Sequence, residues 1–281
     1  MTILVTGATG SVGRPLVHAL LDQGVEVRAL TRDPSAAGLP AGVEVARADL
    51  ADPGSLTPEL FAGVDRAFVF PAQNVEPFAA AAVAAGVERF VVLSSLAAAR
   101  EFARDEGSAS QLHHAAVESA ITRRTSAWTI LRPGTFANNL LSWAWPISMG
   151  APIRVPYLDS AQAPIHEADV ADAIAAALLD DGTIGQAIPI TGPQSLTRRE
   201  QVGAIAAGIG RELEVVEISP DEFRADVAQF VPEPIIAMLL DYWRDTVAEP
   251  DRVRSVEALT GAPGRTLQSW ARDHRSEFGA A

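Results

Sequence analysis

The chain has 281 residues with 22 basic and 35 acidic side chains, a formal charge of −13 at neutral pH. Nucleic acid backbones and anionic membrane surfaces are held mainly by clustered positive charge, so this balance argues against both as partners. There is no cysteine and every basic residue is arginine, which excludes thiol nucleophiles, disulfides, thiolate metal sites, Schiff-base chemistry and phosphate loops built on lysine.

The chain opens Met1-Thr2-Ile3-Leu4-Val5 and runs straight into a glycine turn, without an apolar targeting run or cleavage site, and no apolar stretch is long enough to span a bilayer. A cytoplasmic protein is expected, as a monomer or homodimer. In chain order, short β-branched runs predict strands near 3–6, 26–30, 43–46, 66–70, 90–93, 128–131 and 188–191. The stretches between them, several of them alanine-rich, are where helices are expected, near 12–23, 55–61, 74–85, 110–122 and 169–179. This alternation is that of an α/β fold, a doubly wound parallel sheet covered by helices. The continuous apolar run Phe90-Val91-Val92-Leu93 suits a strand buried on both faces. After Pro133-Gly134 the rhythm loosens, and further helices are expected near 198–208, 221–230, 234–246 and 266–271. Residues 1–134, completed by 164–192, are read as a nucleotide-binding core, with 135–163 and 193–281 as a smaller substrate lobe.

The segment Thr6-Gly7-Ala8-Thr9-Gly10-Ser11-Val12-Gly13 lies between the first strand and the first helix. Glycines three apart let the chain turn tightly, bring backbone N–H groups against a pyrophosphate at a helix N-terminus, and pack helix closely on strand. The expected fold is therefore of the Rossmann type, with Thr6, Gly7, Thr9, Gly10, Ser11, Val12 and Gly13 at the cofactor. Nineteen residues beyond Gly13 stands Arg32, followed by Asp33. An arginine there can pair with a 2′-phosphate, so NADP(H) is favoured over NAD(H); the alternative is a solvated arginine at a strand end. Asp49 and Leu50 are placed to meet the adenine edge, or Asp49 simply caps the next turn. Phe70, Pro71 and Ala72 follow the fourth strand and should pass beside the middle of the cofactor. Ser94 and Ser95 end the fifth strand, where open parallel sheets place their ligands.

Together the glycine octet, Leu93-Ser94-Ser95, Leu131-Arg132-Pro133-Gly134, Asn138-Asn139 and Thr191-Gly192-Pro193 resemble the NmrA-like group of atypical short-chain dehydrogenases/reductases, nearly end to end. The resemblance implies a Rossmann core with a small substrate lobe, Pro133 among the cofactor contacts, and either NADPH-dependent reduction of quinones and enones or cofactor-binding regulation without turnover.

The wider superfamily uses a tyrosine with a lysine four positions later. Here Tyr157 and Tyr242 are followed at that spacing by Ala161 and Thr246. At the helical position of the missing pair stands His114-Ala115-Ala116-Val117-Glu118, which resembles the His-x-x-x-Glu of many NmrA-like proteins. Its i, i+4 spacing puts both side chains on one face. Glu118 is then expected to orient the His114 imidazole and His114 to donate a proton, with Ser95 as a second donor; the alternative for His114 is ribose contact or packing. His113 should point elsewhere, about 100° around the helix. No third ligand accompanies His114 and Glu118, so no metal site is expected.

Phe136, Asn138, Asn139, Trp143 and Trp145 are candidates to line a substrate pocket, or are core of the lobe. Asp169 is read as a helix N-cap, and His166 has no assigned role. The expected function is NADPH-dependent hydride transfer to a small carbonyl, quinone or conjugated enone. The competing classes are a redox sensor without turnover and a non-redox isomerase or cyclase on the same fold.

Overall fold

The computed structural model describes residues 1–280. In chain order its strands are β1 Thr2–Val5, β2 Glu26–Thr31, β3 Glu44–Arg47, β4 Arg66–Val69, β5 Arg89–Leu93, β6 Trp128–Pro133, β7 Ile153–Val155, β8 Ala161–Gln162, β9 Gln186–Ile190, β10 Leu196–Thr197 and β11 Val215–Glu217. Its α-helices are α1 Gly13–Asp22, α2 Val75–Ala84, α3 Ala109–Thr122, α4 Ala144–Ser148, α5 Glu167–Leu179, α6 Arg198–Ile209, α7 Pro220–Val227, α8 Glu233–Ala248, α9 Glu257–Thr260 and α10 Leu267–Asp273. None is long and apolar enough to cross a membrane.

The chain divides into two compact units. The first comprises Met1–Pro133, Glu167–Ile190 and Val256–Ala262. It is built on a seven-stranded sheet in the order β3-β2-β1-β4-β5-β6-β9, with every neighbouring pair parallel. This is the Rossmann-type doubly wound arrangement, whose strand order reverses between β1 and β4, where such sheets open a ligand crevice at their carboxyl ends. One face is covered by α2 and α3, whose Phe78, Ala82, Val117 and Ile121 pack on Leu4, Val69, Phe90 and Val92. Helices α1 and α5 pack on each other, with α5 also against β4 and β5. All five residues of β5 are buried. Arg89 among them is accommodated because its Nη2 donates to Thr129 Oγ1, Thr183 Oγ1 and the Ala177 carbonyl.

Two expectations need correction. The helix near 55–61 is instead two 3₁₀ turns, Pro53–Ser55 and Pro58–Phe61. Pro58 disfavours the helical conformation in the residue before it, and Thr57 is extended at φ −78°, ψ 155°. Asp169 is not an N-cap, because α5 begins two residues earlier at Glu167; it lies buried in the first turn, where a negative charge complements the helix dipole.

The second unit comprises Gly134–His166, Thr191–Ser255 and Pro263–Ala281. It contains the parallel pair β7–β11 and the antiparallel pair β8–β10. Its core gathers Leu140, Trp143, Ile147, Ile153, Ile205, Trp270 and Phe278. Helices α6 and α10 come so close that a Cβ on Gly208 would lie 2.6 Å from the Ala271 Cβ.

Candidate functional site

The carboxyl ends of β1 and β4 are locked together before any ligand is considered. The buried Thr6 donates its hydroxyl to the Phe68 carbonyl at 3.0 Å and accepts the Phe70 N–H at 2.7 Å. Gly7 then turns with φ +62°, and a Cβ there would meet the Phe70 ring at 3.0 Å. The Gly10 N–H closes the turn on the Gly7 carbonyl. At Gly13 a Cβ would lie 2.1 Å from that same carbonyl, so no other residue fits. Thr9, Gly10 and Ser11 are exposed. Helix α1 starts with neither a side-chain cap nor an acidic residue in its first turn; Arg14 gives its N–H to the Gly10 carbonyl and Pro15 has none, so the Gly13 N–H is the first-turn donor left to face an anion.

At the end of β2, Arg32 is exposed and makes no hydrogen bond or ion pair among the described residues. The loop after it is pinned from α1, where Arg14 donates to the carbonyls of Gly38 and Ala37. Asp33 accepts from the backbone and hydroxyl of Ser35, bonds that hold its carboxyl below the usual range. Asp49 closes a turn by accepting the Ala51 N–H, the capping alternative for that residue, while Leu50 packs against the sheet's core. After β4, Phe70 is exposed and Pro71 and Ala72 are half-buried. The Pro71 carbonyl lies 3.1 Å from His113 Nε2 of α3.

The ends of β5 and β6 meet α3 in a polar cluster. Ser94 is buried and donates its hydroxyl to Glu118 Oε1 at 2.6 Å. Arg132, at the end of β6, donates Nε to Glu118 Oε1 at 2.8 Å and Nη2 to Oε2 at 2.7 Å. The expected hydrogen bond from Glu118 to His114 is not formed. A planar guanidinium matches a carboxylate bidentately and carries a full charge, so it outcompetes a neutral imidazole one helical turn away. His114 Nδ1 is buried with no partner, and the His113 ring lies against it at 5.1 Å between centroids. Burial, and secondarily the neighbouring His113, push the His114 pKa down to about 4, with the Glu118 charge opposing. A pKa in that range leaves the ring neutral at pH 7. Ser95 accepts the Ala97 N–H and so caps a 3₁₀ turn. Pro133 is the buried last residue of β6.

The remaining candidates lie in the second unit. Phe136 is half-buried and bridges to Ile165. Asn138 Oδ1 accepts from Trp270 Nε1 at 3.2 Å, Asn139 is exposed, and Trp143 is buried in the unit's core. Trp145 is exposed. His166 Nε2 lies 3.3 Å from Asp273 Oδ2 of α10.

Residues 1–261 match the sequence pattern of the NmrA-like family. The chain belongs to that family. Among its relatives, a (4-alkanoyl-5-oxo-2,5-dihydrofuran-3-yl)methyl phosphate reductase from Streptomyces griseus is 36% identical over 283 residues, 98% of this chain and 99% of the relative. An NAD(P)H azoreductase from Xenophilus azovorans is 32% identical over 292 residues, 99% of this chain and 100% of the relative. Among solved structures, an NADPH-dependent quinone oxidoreductase from Escherichia coli has a TM-score of 0.80 at 23% identity, covering 96% of this chain and 98% of that one. Triphenylmethane reductase from Citrobacter has a TM-score of 0.81 at 21% identity, covering 98% and 100%. These two likenesses are of fold.

For this NmrA-like protein the residue that sequence reasoning passed over is Arg132. It stands inside a quoted motif, yet its partner sits 14 residues earlier on α3. The signal that could have found it is the parallel adjacency of β5 and β6, which sets Leu93 beside Leu131 and so places Ser94 and Arg132 at one edge.

Proposed function

We propose that this chain is an NADPH-dependent reductase whose acceptor is a quinone or a conjugated carbonyl compound rather than a simple ketone. The first unit's residues fit a dinucleotide: Gly7 and Gly13 leave no room for a Cβ, the α1 N-terminus has no side-chain cap, and Arg32 has no partner among the described residues. Gly7, Gly10 and Gly13 would hold the pyrophosphate through the backbone, and Arg32 the 2′-phosphate. When bound, the nicotinamide supplies a hydride.

The observation that carries the choice of acceptor is the state of the groups around His114. The imidazole is neutral at pH 7, the Glu118 carboxylate is held by Arg132, and the Ser94 hydroxyl is donated to Glu118. None of these readily protonates an alkoxide. Reduction of a quinone or enone delocalises the new charge as a phenolate or enolate, which needs far less acid assistance. The two curated relatives support a polarised, conjugated acceptor: one is named for a ring C=C beside carbonyls, the other for an azo bond.

The same lack of an imidazolium at His114 favours a second reading, an NADP(H)-binding sensor without turnover. A panel of quinones, enones and saturated ketones, assayed by NADPH consumption after NADPH binding has been demonstrated, separates the two. Quinones or enones should turn over at least about 10²-fold faster than ketones, the usual size of an acid–base contribution. Equal rates on ketones would overturn the acceptor class, and binding without any turnover would make the chain a sensor.

A further inference from the structure

Arg198, the first residue of α6, is only 4% exposed. Its guanidinium lies over the Trp243 ring at 3.9 Å and over Trp143 at 5.6 Å. Nε is fully enclosed without an acceptor, and no hydrogen bond or ion pair reaches the guanidinium among the described residues. Glu200, two residues along the chain from Arg198, is engaged in the capping box with Thr197, and Asp241, two residues before Trp243, pairs with Arg244. Burial alone acts on the Arg198 pKa, drawing it down to about 9, with no charge in opposition.

Stacking on aromatic faces recovers only a small part of what an ion loses on leaving water, and a buried charge is ordinarily paired. Trp243 is only partly buried, and the two Nη nitrogens are the part of the guanidinium left unenclosed, so an external anion has an approach. A planar fork with indole rings beside it also suits a ligand that carries an oxyanion next to a flat apolar body.

We propose that Arg198, flanked by Trp143 and Trp243, is an anion-binding site in the second unit that receives the phosphate monoester or carboxylate of a small, flat, conjugated molecule. As a binding site it stands without the reductase reading.

The test is a titration of the full chain, without NADPH and in chloride-free buffer, following tryptophan fluorescence. The probes are phenyl phosphate, benzoate and, as a neutral match, benzyl alcohol. The expected result is a saturable signal with one or both anions and none with benzyl alcohol; the anion that binds more tightly identifies the group. R198M should weaken that binding by at least about tenfold, R198K should keep part of it, and R199Q should leave it unchanged. R198M should also melt no lower than the wild type, since it removes an uncompensated buried charge. A wild type with no saturable anion signal overturns the proposal whether or not R198M folds. Unchanged binding in R198M overturns it as well. NADPH titration on the same samples keeps the readings apart. Anion binding without NADPH binding sinks the reductase alone, whereas NADPH turnover without anion binding sinks the Arg198 site alone.

Discussion

Arg132 grips Glu118 with two parallel hydrogen bonds, 2.8 Å from Nε and 2.7 Å from Nη2, and the two side chains are only 20% and 12% exposed. The pair ties the end of β6 to α3, and Ser94 fastens the end of β5 to the same carboxylate. The bond from Glu118 is what holds the Arg132 guanidinium more firmly protonated than usual. Glu118 is thus a strut between sheet and helix, and His114 stands beside it without a partner.

Replacing Glu118 with glutamine should therefore lower stability. Arg132 would keep its charge in a mostly enclosed place with its bidentate partner gone and Glu101 as the remaining opposite charge, and losing the partner of an ion pair costs about 3–5 kcal/mol when fully buried and about 1–3 kcal/mol with this degree of solvent access. Denaturant unfolding measures it, and the double variant E118Q/R132M should recover part of the loss. A change below about 0.5 kcal/mol would show that the pair is a surface contact.

His114 sets a pH dependence whose sign follows from its lowered pKa. Between about 4 in the folded chain and the usual 6.5, the unfolded chain binds the proton that the folded one does not. This contribution to stability is present above pH 6.5 and declines as pH falls toward 4. Discounted for partial solvent access, the decline from pH 7 to pH 5 should be about 1 kcal/mol, and H114N should lack it. Because the ring is already neutral at pH 7, turnover of a quinone should be flat between pH 6 and pH 8. A tenfold rise for each unit of acidification would instead mark an imidazolium donor.

The sheet is legible in the sequence because a strand buried on both faces must be a short apolar, β-branched run, as Phe90–Leu93 is, and because a pyrophosphate turn needs glycine at fixed spacing. The second unit is less so: β8 and β10 are two residues long, and their pairing leaves no period to detect. Near 55–61 the prolines limit the structure to short turns, since Pro53 and Pro58 each suit the first position of a helical turn and also interrupt one already begun. The His114–Glu118 pairing fails for a different reason. Helical spacing states which side chains can meet, but the choice among partners is made by charge, and the competing charge arrives from β6 through tertiary structure.

The glycine loop gives a graded comparison. Gly13→Ala places a methyl 2.1 Å from the Gly7 carbonyl and 2.8 Å from the Ala8 Cα, both backbone atoms that cannot step aside. Gly10→Ala meets only the Gly7 carbonyl, at 3.3 Å. G13A should lose more than about 2 kcal/mol of stability, as overpacked sites do, and most of its NADPH affinity. G10A should fold with a loss under about 1 kcal/mol. Thermal unfolding with and without NADPH compares them, and equal behaviour of the two variants would show that α1 can shift away from the sheet.

We expect Arg32 to decide between the two nicotinamide cofactors. It is exposed, has no partner among the described residues and stands at the end of β2, while the neighbouring Asp33 is bound to Ser35. An acid free to meet a ribose hydroxyl would favour NADH; here the free group is the cation, and the acid is held in a local turn. NADPH should therefore bind more tightly than NADH. Arg32→Ala should weaken NADPH by about 10- to 100-fold, the range for a charge-assisted hydrogen bond, with NADH changed less than about twofold. The advantage of NADPH in the wild type should also shrink as salt rises, since the contact is solvent-exposed. Titration of both cofactors against both proteins by nicotinamide fluorescence reads all four affinities. Equal losses for NADPH and NADH in R32A would assign Arg32 to the shape of the β2 loop and remove the support for a 2′-phosphate site.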